Sequence, residues 1–442
     1  MFPYFSSRRI VCLFALGMSL ATPLVRAQNM DVEVPRVLKN IEFYQDELVV
    51  VHEGLIFHAL PDSPHYTLRA LMGDPKGAAK GLIFDFGNVE MSGKLYFGFI
   101  PEGDSRHPLP VYFKTTADIL GGRSFINIQD QLAGRYAMVN WEKTGRGPLG
   151  YRVADSNGNL LYDGKISFRG SGPFEVDVSC VSGPFVNLVQ PEGATISFET
   201  NRAVAAAVIV DGRTFRESAP ATRHEIALTG LAPDSLYSYQ IQYGENTSQA
   251  YSFRTAPLPG TRKPFTLAYA SDSRNGQGGG ERNLYGANYY IVKKIMALAH
   301  YRQSAFMQFS GDLVEGYLGS TDEIRLQYAN WKRAIEPFAH HMPVYISMGN
   351  HEVLLREFGG RTEKGVFRFE VDRFPYETES SEAVFAEMFV NPTNGPESED
   401  GASYDPQKRR VNFPTYKENV FYYTHDNVAV IVLNTNYWFT PS

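Results

Sequence analysis

The sequence predicts a multidomain chain in which N-terminal β-sandwich domains precede an α/β domain, and three observations lead there. Up to about Ala256, short β-rich runs alternate with Gly and Pro turns. Beyond Pro264, apolar runs alternate with stretches of helical periodicity. Three of those runs, Phe265 to Ala270, Ala305 to Phe309 and Val344 to Met348, empty into polar clusters, as strands do at the edge of an open sheet. With 442 residues, 43% hydrophobic and 20% charged, there is material for two or three domains with their own cores.

Taken in order, Arg8 and Arg9 precede an apolar segment from Ile10 to Val25 that ends in Val25-Arg26-Ala27. This pattern predicts a signal peptide over residues 1–27, cleaved before Gln28, and a secreted or periplasmic protein. A membrane anchor is the competing reading, but Gly17, Ser19 and Pro23 break a segment already short of the ~20 apolar residues that a span requires. No membrane span is expected after cleavage. Forty-two Lys plus Arg against 48 Asp plus Glu, with no basic run, provide no attraction for nucleic acid. Cys12 leaves with the leader, so Cys180 stands alone as a buried small apolar residue without a disulfide partner.

Residues 28–176 read as a β-rich sandwich of unassigned role, with strands expected at Leu48 to Val51, Lys94 to Phe99 and Arg135 to Asn140. Its plainest hairpin is Gly150 to Ile166, turning at Asp155-Ser156-Asn157-Gly158-Asn159. His52, His58, His65 and His107 lack ligand spacing and read as surface or packing residues. Residues 177–260 form a second β unit, with strands near Ala194 to Thr200, Ala205 to Val210, His224 to Leu228, Tyr237 to Tyr243 and Gln249 to Arg254. The turn Leu228 to Tyr237 leads into a strand placing Tyr237, Tyr239 and Ile241 on one face. This passage resembles fibronectin type III domains, and Pro257-Leu258-Pro259-Gly260 makes a stiff linker.

In residues 261–442, Asp272, Asp312 and Asn350 follow the three apolar runs at intervals of 40 and 38 residues, room for two β-α-β crossovers. The first crossover helix, Leu284 to Arg302, is expected to face the core through Ile291, Ile295, Leu298 and Ala299. The second opens on a capping box, Ser320 to Glu323, and buries Ile324, Tyr328, Trp331 and Ile335. A loop with Gly276 and Gly278-Gly279-Gly280 could bring backbone N–H groups to a phosphate or simply connect. Leu354 to Lys417 reads as long loops around one short helix, Ala383 to Phe389, before strands at Asn419 to Tyr423 and Val428 to Leu433. The second of these is apolar enough to be covered on both faces.

Carboxylates, an amide oxygen and an imidazole suit hard or borderline metals. The order Asp272, Gly311-Asp312, Gly349-Asn350-His351-Glu352 resembles the calcineurin-like metallophosphoesterases, purple acid phosphatases in particular. That resemblance implies an αββα-type domain and a secreted phosphoesterase that hydrolyses phosphate mono- or diesters. It also implies two metal ions, drawn from Fe, Zn, Mn or Mg. Asp272 would bind one ion, Asp312 bridge both and Asn350 bind the second, while His351 assists the phosphate and Glu352 orients its ring.

Two positions depart from the family pattern. Arg274 replaces a common ligand, and as a permanent cation it either binds the substrate phosphate or forms a structural ion pair. Glu315 stands where these phosphatases carry a Tyr ligand, and either ligates or pairs with Arg274. After His351 only His425 remains, without the family's later His motifs, so the chain is expected to end inside its domain and residues 28–442 alone to lack phosphatase activity. The alternative is a non-enzymatic extracellular binding protein with a relict α/β domain.

Overall fold

The computed structural model describes residues 41–44, 47–103, 105–112, 115–275, 282–363, 365–373, 378–398 and 414–435. The expected leader and the Gly276 to Gly280 loop lie outside these. N-terminal sandwich-like sheets lead to a C-terminal region containing helices. A five-stranded antiparallel sheet, in the order Glu175–Val176, Leu160–Arg169, Arg146–Asp155, Gly93–Phe99, Thr116–Ile119, packs on a three-stranded one, Lys76–Gly77, Gly81–Asp85, Arg123–Asn127. Phe84, Phe97, Phe168 and Trp141 fill the space between. The hairpin turn forms as its sequence demands, the Asp155 carboxylate accepting from the N–H groups of Asn157 and Asn159 at 2.9 and 2.8 Å. Arg135 to Asn140 is not a strand. Left-handed Gly134 and Asn140 bend the chain into a short 3₁₀ turn, Gly134–Tyr136, which exposes Tyr136 and Met138.

In the fibronectin-like unit, Cys180–Gln190, Gly193–Val204 and Ala221–Thr229 make one sheet. The other is built on Leu236–Tyr243, which pairs with Ala206–Val210 and with Tyr251–Arg254. Period-two alternation buries Tyr239, Ile241 and Tyr243, and the Tyr237 hydroxyl accepts the Ala232 N–H at 2.6 Å, the tyrosine corner of such sandwiches. Cys180 is half-buried rather than buried, its thiol directed at the carbonyls of Ser182 and Gly183.

Downstream, β1 (Ala268–Ala270), β2 (Met307–Ser310) and β3 (Val344–Ser347) are parallel with β2 central, connected through α1 (Tyr289–Tyr301) and α2 (Thr321–Ala339). The buried face of α1 is Tyr289, Val292, Met296 and Ala299. Ile291 and Leu298, expected inside, are 43% and 57% exposed, because the helix is rotated to bring its bulkier aromatic and Met stripe onto α2. On α2, Ile324, Tyr328, Trp331 and Ile335 are buried as their spacing requires. The capping box does not form: Ser320 makes no side-chain cap, and the Glu323 carboxylate turns away to the His65 N–H and the Tyr285 hydroxyl.

The stretch expected as loops holds a hairpin, β4 (Leu355–Thr362) and β5 (Gly365–Asp372), then α3 (Ser381–Met388). Its high charge and Gly359-Gly360 mask the alternation, and strand Leu55–Ala59, distant in sequence, closes the exposed edge of β4 through Phe358 and Gly359. Strands Glu47–His52 and Ile41–Tyr44 complete that sheet. The final hairpin, β6 (Phe421–His425) and β7 (Val428–Val432), lays Tyr423 flat on Tyr345 of β3, ring centroids 3.7 Å apart. It is covered on one face only, since Ile431 is 73% exposed. No helix among the described residues is long and apolar enough to cross a membrane.

His340, just past α2, is sealed against the fibronectin-like unit. Its Nδ1 lies 2.6 Å from the Pro184 carbonyl, its ring packs on Tyr251, and burial pushes its pKa down to about 3. An imidazole depressed from 6.5 leaves the unfolded chain with more bound protons between pH 3 and 6.5, so stability is lost as pH falls through that window. The urea midpoint should therefore drop between pH 7 and pH 4.5, and drop less in His340→Asn, which keeps an N–H donor but cannot titrate. Equal drops in both proteins would remove His340 as a cause.

Candidate functional site

Parallel pairing of Ala270 with Phe309 and of Ser310 with Ser347 brings the C-terminal ends of β1, β2 and β3 together, and with them Asp272, Asp312 and Asn350. Backbone hydrogen bonds stitch the three ends into one rim. The Asp272 N–H donates to the Gly311 carbonyl at 3.1 Å and the Ser273 N–H to the Asp312 carbonyl at 2.8 Å. Glu352 joins the second end to the third: its carboxylate accepts from Asp312 N–H at 2.9 Å, Leu313 N–H at 2.7 Å and Gly349 N–H at 2.6 Å. Burial pushes this carboxyl up to about 7, against the pull of those three N–H groups toward its ionised form.

Glycine is required at both approaches. Gly311 sits at φ +85° with room for no Cβ, which would stand 2.3 Å from the Gly349 nitrogen, and a Cβ on Gly349 would stand 2.3 Å from Asp312 Oδ1. Asp272 and Asp312 are themselves left-handed, at φ +59° and +52°, a strain of about 1–3 kcal/mol each that clusters at functional sites.

Asp312 is the centre of the rim. Its Oδ1 accepts the His351 N–H at 3.1 Å and its Oδ2 lies 4.0 Å from His351 Nε2. His351 Nδ1 meets the Glu315 carbonyl at 2.5 Å, and since a carbonyl only accepts, Nδ1 carries the proton and the neutral ring presents a lone pair at Nε2. Arg274 Nη1 donates to that lone pair. The ring is thus oriented by the Glu315 backbone and not by Glu352, which serves the rim's backbone instead. The expected Arg274–Glu315 ion pair is not formed; the Glu315 side chain is exposed.

Sequence reasoning missed Tyr317, whose hydroxyl accepts from Asn350 Nδ2 and whose ring stands edge-on to His351 at 4.6 Å. With Nδ2 so engaged, the Asn350 carbonyl oxygen is left for a ligand. A signal existed in Gly316-Tyr317: a Cβ at Gly316 would stand 1.4 Å from the His351 carbonyl, so this loop must lie against the third rim segment.

Two carboxylates and an amide oxygen on adjoining strand ends are hard donors, the donor type that oxygen-preferring divalent ions take. They do not fit the two-ion centre. Among the described residues no group of three or more His, Cys, Asp or Glu side chains could hold a metal, and a guanidinium occupies the imidazole face beside Asp312.

No family model matches the chain, and no curated protein matches it. Among solved structures it bears a distant likeness to PhoD, at 15% identity and a TM-score of 0.38 over 57% of this chain and 51% of that one. Another is the purple acid phosphatase PPD1 from yellow lupin (Lupinus luteus) seeds, at 13% identity and TM-score 0.38, over 78% of this chain and 61% of that one. The central fibronectin-III array of RIM-binding protein is similar at 14% identity and TM-score 0.19, over 43% of this chain and 72% of that one. The chain thus spans about half the length of the first and three-fifths of the second.

Because Glu352 satisfies three backbone donors at once, Glu352→Gln, whose NH₂ must face one or more of them, should destabilise the protein by about 2–4 kcal/mol in urea unfolding. A change under about 0.5 kcal/mol would show that the rim closes without it.

Proposed function

We propose that the protein is a metal-dependent phosphoester hydrolase of the calcineurin-like class, acting on phosphate mono- or diesters outside the cytoplasm. The observation that carries this reading is the convergence of Asp272, Asp312 and Asn350 around a histidine at one sheet edge, locked by Glu352. Asp272, Asp312 and the Asn350 carbonyl oxygen would hold an ion. Such an ion, when bound, supplies Lewis acidity and a water of lowered pKa. The export of the protein is proposed from the basic-apolar leader at Arg8 to Ala27.

The chain's own groups then divide the work. Arg274 stands where a phosphoryl oxygen would enter beside His351, and its planar fork can take two such oxygens at once. Engaged with phosphate, it releases Nε2, which takes up a proton from solvent, and the imidazolium so formed gives that proton to the leaving oxygen as its bond to phosphorus breaks, returning to the neutral ring while the Glu315 carbonyl holds Nδ1–H in place. Tyr317 keeps the Asn350 amide turned so that its oxygen faces the site.

A second reading, a non-enzymatic extracellular binding protein, has two observations in its favour: Arg274 already caps His351, and among the described residues no group of three or more His, Cys, Asp or Glu could hold a metal. Metal analysis separates the two. The natural full-length protein should retain Mn, Zn, Fe or Mg after dialysis and release phosphate from model mono- or diesters in a chelator-sensitive way, whereas a metal-free, inert protein would support the second.

Three substitutions divide the roles. Asp312→Ala should abolish metal binding, while His351→Ala keeps the metal and loses ~10²–10⁴ in rate. Arg274→Ala should raise KM at unchanged metal content. Equal metal loss in Asp312→Ala and His351→Ala would show His351 to be a ligand, and unchanged kinetics in Arg274→Ala would make Arg274 structural.

A further inference from the structure

Away from the rim, a cavity of about 450 Å³ opens where the structural units meet. Its wall takes Arg106 from the N-terminal sandwich, Phe253 and Arg254 from the fibronectin-like unit, Lys263 from the connector and His300 from the end of α1. Ligand sites favour such junctions, and the volume suits a small organic molecule.

The charges on this wall do not balance. Arg254 and Lys263 share one carboxylate, Asp234, at 3.2 and 2.6 Å, and Arg106 has no carboxylate within ion-pair distance among the described residues. Two positive charges are left over. His341 lies against the same wall and would respond to an added anion. Its Nδ1 lies 2.8 Å from the Ser252 carbonyl and its Nε2 3.2 Å from the Arg106 carbonyl, with the Ser252 N–H a longer alternative partner for Nδ1 at 3.4 Å. Only an imidazolium can donate to both carbonyls. Facing it are His107 and Arg106 of the sandwich, His300 of α1, and His340 and Tyr251, and none of these is an anion at neutral pH. Burial, with Arg106 and His107 adding to it, holds the His341 pKa below its ordinary value. Beside this basic wall, Leu236, Phe253, Phe265 and Met342 offer apolar surface.

We propose that this interdomain cavity is a second binding site, for a small organic anion with a doubly charged phosphate-type head and an apolar or aromatic body. The head sits between Arg106, Arg254 and Lys263 and supplies the counter-charge His341 lacks, and the body lies on Phe253 and Phe265. Because its ligand touches several units, binding braces them against one another without reaching Asp312.

Phenylphosphonate, which has no ester bond to hydrolyse, is the probe. Calorimetric titration of the natural protein should find a phenylphosphonate site that persists in Asp312→Asn and weakens at least tenfold in Arg106→Gln and in Lys263→Gln. Inorganic phosphate should bind this site at least tenfold more weakly, lacking the apolar body. In the Asp312→Asn protein, ¹⁵N shifts of the His341 ring should move to the imidazolium values as phenylphosphonate is added, a readout independent of the surface variants. Binding that vanishes in Asp312→Asn would assign the probe to the rim and overturn the proposal. So would affinity indifferent to both Arg106→Gln and Lys263→Gln, or a His341 ring that does not respond. Loss of metal or turnover at Asp312 bears only on the rim, so the two sites can fail separately.

Discussion

Helix α2 is buried on nearly every side beyond its first two turns, and that constraint shapes the rest of the structure. Its apolar stripe, Ile324, Tyr328 and Trp331, faces β2 and α3, and Leu326 enters the core of the N-terminal sandwich. The positions that a surface helix would give to water are instead held by the β units. Lys332 pairs with Glu199 at 2.6 Å, and Arg333 reaches the carbonyls of Asp163 and Val181. Glu336 accepts from Lys165, Arg333 and the Gly183 N–H. Burial would raise the Glu336 carboxyl, but the two cations beside it hold it at about 2. A buried charge left without its partner costs several kcal/mol, so neither β unit can leave α2 cheaply.

The same helix sets the rim. Trp331 Nε1 donates to Ser273 Oγ at 2.8 Å, and that hydroxyl donates onward to the Leu313 carbonyl at 3.0 Å, so the segments carrying Asp272 and Asp312 are fixed from below. Glu352 fixes the third segment from the other side. Asp312 is held by main-chain groups and by a carboxylate, Glu352, that does no chemistry itself, which is how a left-handed aspartate can be maintained at a sheet edge. The β units are therefore part of the support of the site.

Much of this was legible in residue order. Apolar runs ending in Ser-Asp, Gly-Asp and Gly-Asn placed three strand ends at one edge, because parallel strands joined by crossovers leave their C-terminal ends together. Alternation in Tyr237 to Tyr243 marked a half-buried strand. Other features were hidden. Nothing near Glu352 indicates that its carboxylate would bind backbone N–H groups of Asp312 and Leu313 rather than the His351 ring beside it. The hairpin β4–β5 was masked because its edge is completed by Leu55–Ala59, a pairing with no local signal.

The sequence by itself determined the period of each element and the identity of the rim's chemical groups, since periodicity and turn chemistry are local properties of the backbone. The tertiary structure alone decided which face of α1 is buried, which carboxylate ties the rim's backbone together and which faces solvent, and where Arg274 lies. Those are contests between groups far apart in the chain, settled by burial and by the pairing of charges once they meet. Arg274 shows the difference best: its charge is a fact of sequence, and its place on His351 Nε2 is a fact of folding.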